Sequence, residues 1–148
     1  MGHWICIDHG TKRIGLAVGD AARAIASPLK VVPAEPHKAA IDQIKAVADE
    51  YKADGVVVGW PLNMDDSEGP QARQARAMAV ELARLGLPDV RLWDERLSSF
   101  AADRALAGML TRKKKAAVQD AVAAAEILQD FFACGGPDSA PAPEEITD

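Results

Sequence analysis

Apolar positions along the chain alternate between a period of two and a period of three to four, and this change marks out the elements. Residues 4–8, Trp-Ile-Cys-Ile-Asp, are apolar on both alternating faces until Asp8, as in a central strand covered on both sides with an acid at its exit. Gly10-Thr11-Lys12-Arg13 reads as a turn and residues 14–18 as a second strand, so the chain opens on a β-hairpin. A third run, Leu29 to Val32, ends at Pro33 and extends the hairpin to an antiparallel meander.

From Lys38 to Tyr51 the residues Ala40, Ile41, Ile44, Val47 and Ala48 form one helical stripe. Residues 55–59, Gly-Val-Val-Val-Gly, are too short and too β-branched for a helix and read as a buried strand. Residues 61–69 are loop. Residues 70–85 return to helical spacing, with Gly86 as the stop. Val90 to Trp93 is the last strand, Ser98 or Ser99 can cap a helix reaching Met109, and a final helix covers about 116–133. The order β-β-β-α-β-α-β-α-α implies an α/β domain with a mixed five-stranded sheet and helices on both faces.

Composition sets the limits of the domain. The Gly135-Gly136-Pro137 break, followed by Pro141 and Pro143 among acids, predicts a domain over 1–134 and a disordered acidic tail over 135–148 that folding does not need. The formal charge is −5, but residues 137–148 hold four acids and no base, so the body carries only −1. Two basic spots, Lys12-Arg13 and Arg112-Lys113-Lys114-Lys115, can face phosphates locally without making the surface strongly basic. No apolar run approaches the roughly 20 residues of a membrane span. With no secretory signal and two distant cysteines, Cys6 and Cys134, read as free thiols, the chain is expected in the cytoplasm.

Three carboxylates draw attention. On a wheel of about 100° per residue, Asp120 shares the face of Ala123, Ala124, Ile127, Leu128 and Phe131 and is the one acid there. A lone carboxylate turned toward a core must be paired or bind metal, and the ordinary alternative is an ion pair with a nearby base. Asp8 stands at a strand exit, where ligand crevices open in α/β sheets, or merely starts a turn. Glu95 follows another strand exit, or is a solvated acid paired with Arg96. Together the three supply the oxygen ligands that Mg²⁺ or Mn²⁺ prefers, the wiring of a two-metal phosphodiesterase. Phosphate-loop, zinc-protease and nucleophile-elbow motifs are absent. His9 beside Asp8 is expected as a turn residue or a contact to substrate or water.

The segments Ile7-Asp8-His9-Gly10-Thr11-Lys12-Arg13-Ile14-Gly15-Leu16-Ala17, Val58-Gly59-Trp60-Pro61-Leu62-Asn63-Met64-Asp65, Asp94-Glu95-Arg96-Leu97-Ser98, and Lys113-Lys114-Lys115 with Asp120 resemble, in order and interval, the YqgF family, also called RuvX. The resemblance spans residues 4–133. It implies an RNase H-like fold, Asp8, Glu95 and Asp120 as metal-binding catalytic acids, and maturation of the 5′ end of pre-16S ribosomal RNA, with a Holliday junction resolvase-like action on branched DNA as the alternative. It also implies Gly10, Thr11, Lys12, Arg13, Asn63, Arg96, Lys113, Lys114 and Lys115 as substrate contacts. A homodimer is compatible with it. His9, Trp60 and Asp66 depart from the family pattern. Two rivals remain: a catalytically silent ribosome-assembly module, and the phosphate hairpin of actin-like ATPases, which lacks a second lobe here.

Overall fold

A computed structural model describes residues 2–97 and 112–143. Five strands, β1 (His3–His9), β2 (Arg13–Asp20), β3 (Ile25–Pro33), β4 (Gly55–Trp60) and β5 (Val90–Asp94), form one sheet in the order β3-β2-β1-β4-β5. The first three are antiparallel neighbours, whereas β4 and β5 run parallel to β1. Helices α1 (His37–Glu50) and α2 (Pro70–Arg84) and the long α3 (Arg112–Ala133) complete the described architecture. The expected helix from Ser98 or Ser99 to Met109 lies outside the described residues.

The strict alternation of β1 decides which side each residue serves. Ile5 and Ile7 point to α1 and α2 and join Ile41, Ile44, Met78 and Leu82 in one core. Trp4 and Cys6 point the other way and join Ala17, Val57, Trp93 and the inner face of α3 in a second. Both cores are needed because every residue of β1 from Trp4 to Ile7 is buried. Phe131 anchors α3 between two indoles, its centroid 5.0 Å from that of Trp4 and 6.1 Å from that of Trp93 in an edge-on contact. The predicted inner positions Ala123, Ala124, Ile127, Leu128 and Phe131 are all buried.

Helix α2 ends as its sequence predicts. Gly86 takes φ +89°, the Gly86 amide donates to the Ala83 carbonyl, and the Leu87 amide donates to the Leu82 carbonyl, which together satisfy the last open carbonyls.

The expectation of disorder from Gly135 does not hold for residues 136–143. Gly136–Ser139 form a 3-10 turn, Ala140 and Ala142 are buried, and the Leu92 amide on edge strand β5 donates to the Pro141 carbonyl at 2.9 Å. Arg91 Nη1 donates to the Ala140 carbonyl as well. Composition predicted a solvated tail, but here the Pro141 carbonyl accepts from an exposed sheet edge and covers it. Removing residues 136–148 should therefore lower stability by about 2 kcal/mol, from two small buried side chains and a stripped edge amide. Chemical denaturation reads this, and an unchanged midpoint would restore the dispensable tail.

Candidate active site

At the outgoing ends of β1 and β4 the α3 face of the sheet changes from apolar to acidic. Continuing the alternation past Trp4 and Cys6 puts Asp8 on this face, half-buried. Glu95 opens the 3-10 turn Glu95–Leu97, two residues beyond the buried Trp93 and on the same side. Between them lies Gly59. A Cβ there would come within 3.1 Å of a Glu95 carboxylate oxygen and equally near Ile127 Cδ1, so the missing side chain makes room for the acid. Both carboxylates are felt by the buried Cys6 thiol, which is held well above its usual range by burial first, then by the charges of Asp8 and Glu95. Both acids thus lie within electrostatic reach of one buried group.

Asp120 reaches the same face from α3. Asp8 pairs with Gly15 across the β1–β2 ladder, and a Cβ on Gly15 would collide with the backbone carbonyl of Asp120. The helix thus rests on bare β2 backbone one strand from Asp8. Gly15→Ala should destabilise the protein by roughly 1–3 kcal/mol through overpacking and push Asp120 away from the site. Unaltered stability and activity would show that α3 yields freely at this point.

The Asp120 carboxylate is occupied. Arg13 lies two residues before Gly15 on the same face of β2, and its Nε donates to Asp120 Oδ2 at 2.8 Å, with the two side chains 47% and 30% exposed. The pairing with a base that the sequence left open is therefore present. Among the described residues no three His, Cys, Asp or Glu side chains form a group able to hold a metal ion as they stand. The donor chemistry nevertheless fits a hard divalent cation: carboxylates stand at the exits of β1 and β5 on the α3 side of the sheet, and a third lies across Gly15, paired with a guanidinium. Asp8 and Glu95 carry the oxygen donors such an ion takes, and Asp120 would add a third only on leaving Arg13.

The expected substrate contacts divide. Gly10, Thr11, Lys12 and Arg13 form the β1–β2 turn, closed by the Gly10 amide donating to the Arg13 carbonyl at 2.9 Å, with the last three exposed beside the acids. Asn63 and Arg96 have structural duties. Arg96 is bound to Asp94 through Nε and Nη2, to Asp66 Oδ1 at 2.8 Å and to the Asn63 carbonyl at 2.9 Å, and the carboxylates, Asp94 first and Asp66 second, raise its pKa further. It clamps the 61–69 loop to the exit of β5. Its partner is Asp94 rather than Glu95, the pairing the sequence suggested. Asn63 is bound within the loop, its Nδ2 donating to Ser67 Oγ at 3.0 Å. Asp66 takes φ +71°, where glycine is at ease, and Arg96 holds it there. The side chains of Lys113, Lys114 and Lys115 lie outside the described residues.

His9 is not a turn residue and is not on the acid face. It is the last residue of β1 and points to α1 and α2, in a cavity of about 230 Å³ with His37, Gln74 and Glu81. Its pKa is lowered, by burial first and then by His37. Trp60 also faces that side and donates to Glu68. The sequence reading passed over Gly15 and Gly59; the available signal was a glycine inside a β-branched strand, which marks close approach.

The family model described as "RuvX: Holliday junction resolvase" matches residues 2–134. The chain is 48% identical over 124 residues to a protein of Cereibacter sphaeroides named "Putative pre-16S rRNA nuclease", covering 83% of this chain and 78% of that one. A protein of the same name from Nitrobacter hamburgensis is 44% identical over 134 residues, covering 86% and 82%. Among solved structures, Thermus thermophilus RuvC in complex with a Holliday junction superposes with a TM-score of 0.51 at 19% identity, covering 95% of this chain and 98% of that chain, which shows a shared RNase H-like fold.

Proposed function

Since the chain belongs to the RuvX family, we propose that it is a divalent-metal-dependent endonuclease that hydrolyses nucleic-acid phosphodiesters, with precursor 16S ribosomal RNA as its substrate. The observation that supports this most is the meeting of Asp8 and Glu95 on one face at the outgoing ends of parallel strands, with Asp120 one strand away across Gly15.

In this reading Asp8, Glu95 and Asp120 hold the ions. Mg²⁺ or Mn²⁺, when bound, supplies Lewis acidity toward the scissile phosphate and its attacking water. The protein's own part is positional. The cores on either side of the sheet fix Asp8 and Glu95 by their backbones, Arg96 fixes the loop beside them, and Cys6 and Trp93 form a dry floor that keeps the dielectric low beneath the carboxylates. Lys12 and Arg13 on the hairpin turn would bind phosphates without reading bases. Arg13, displaced from Asp120 by an ion, would be free to do so.

The test is cleavage of a precursor 16S RNA fragment beside a four-way DNA junction, with Mg²⁺, with Mn²⁺ and with chelator. Cutting near the mature 5′ end of the RNA with metal, and none with chelator, is the expected result. Preferential cutting of the junction would move the substrate to branched DNA. A catalytically silent assembly module has one observation in its favour, the Arg13–Asp120 pair, and RNA binding without metal-dependent cleavage of either substrate would establish it.

A further inference from the structure

A groove lies away from the acids, on the solvent face of α2. It encloses about 610 Å³, with Ala77 and Val80 as its floor, Arg73, Arg76 and Arg84 along its length, and Pro143 at its side. At about 100° per residue, Arg73 and Arg84 stand within roughly 20° of each other round the helix and about 16 Å apart along it. The buried face of α2, Ala72, Ala75, Met78, Ala79 and Leu82, is turned the other way. The arginines therefore form a stripe over a shallow apolar floor.

Among the described residues, the charge on this stripe is only partly paired. Glu81, the one acid in the groove, is held by His37 Nε2 at 2.7 Å, and Arg76 is held by Glu68 at 2.8 Å. Arg73 and Arg84 form no ion pair with any described residue, and both are exposed. Position matters equally. As the crossover between parallel β4 and β5, α2 starts at the sheet edge where β4 ends and runs back along the sheet. Arg73 thus lies in the first turn, at the same end of the strands as Asp8 and Glu95 but on the opposite face of the sheet, and Arg84 lies at the far end.

We propose that this groove is a second phosphate track, along which the backbone of a single-stranded RNA, having passed round the ends of the strands from the acid face, extends toward Arg84. The proposal rests on the nuclease reading and deepens it, since it makes the protein sense RNA well beyond the cleaved bond. A track of this kind binds by neutralising phosphates over a few nucleotides, with little sequence preference and a strong dependence on salt.

The test compares wild type with R73A/R84A, both full chains, using fluorescent single-stranded RNAs of about 6 and about 20 nucleotides that carry the 16S 5′ junction. Binding is read by anisotropy without divalent ions, and cleavage of the short RNA with Mn²⁺. The expected result is about tenfold weaker binding of the long RNA by the variant. Its slope of log affinity against log salt should be shallower by about 1.4, two contacts at roughly 0.7 each, while the short RNA is bound and cut equally well. Equal affinity of both proteins for the long RNA, or the same loss on both lengths, overturns the track while leaving the nuclease reading intact. A defect that disappears once residues 144–148 are deleted assigns the arginines to the chain's own acidic end and also overturns it. Failure of wild type to bind or cut either RNA overturns the nuclease reading and the track together.

Discussion

Asp8→Asn should abolish metal-dependent cleavage, by more than about 100-fold because a direct ligand must cost more than the outer partners that already cost up to that, and leave the metal-free protein at least as stable as wild type. The two halves of this expectation have different causes. Loss of cleavage follows from removing an anionic oxygen donor at the centre of the site. Retained stability is expected from like charge: Asp8 and Glu95 both act on the same buried thiol from the α3 side of the sheet, where two carboxylates repel. Neutralising one relieves that repulsion without changing the volume of the side chain. Glu95→Gln should behave alike. Added Mg²⁺ or Mn²⁺ should raise the melting temperature of wild type by mass action and that of Asp8→Asn much less. An Asp8→Asn protein that folds and still cuts RNA with metal would sink the assignment, and one that loses several degrees of stability would make Asp8 a structural acid.

How far the sequence disclosed this site depended on which physical signal each residue carries. Elements with two buried faces, such as β1 and β4, announce themselves as unbroken apolar runs, and the inner stripe of α3 is legible from its period. Edge strand β3 is not, because one side of it faces solvent and Pro28 and Lys30 interrupt the pattern; it begins at Ile25, four residues before the apolar run that marks it. Strand parity was available but unused for His9. Counting by twos from the apolar Ile5 and Ile7 places it with α1 and α2, away from Asp8. The Arg96 clamp and the docking of residues 136–143 depend on long-range partners, Asn63 and Asp66 in one case and Leu92 in the other, and no local period encodes those.

Asp120 is the residue for which the competing readings diverge most, and substitutions at both ends of its ion pair separate them. With both partners substantially exposed, the Arg13 pair contributes at most about 1 kcal/mol once solvent screening is counted. Asp120→Asn should therefore reduce stability by no more than this, yet remove cleavage, because the third oxygen donor is lost. Arg13→Ala should cost the same small amount and do the opposite to metal binding. It withdraws the cation that occupies Asp120 and a positive charge from the ion's surroundings, so Mg²⁺ or Mn²⁺ should bind more tightly, by about threefold to tenfold at the level of a kilocalorie. RNA affinity should fall if the same guanidinium contacts phosphate, as proposed. Under a purely structural reading, the two substitutions lose the same stability, metal affinity does not move with either, and Asp120→Asn continues to cleave. Calorimetric titration of metal into the two variants, run beside cleavage, decides the matter. A rise in metal affinity confined to Arg13→Ala assigns Asp120 to the site, whereas equal metal binding by wild type and both variants leaves the pair as a strut between β2 and α3.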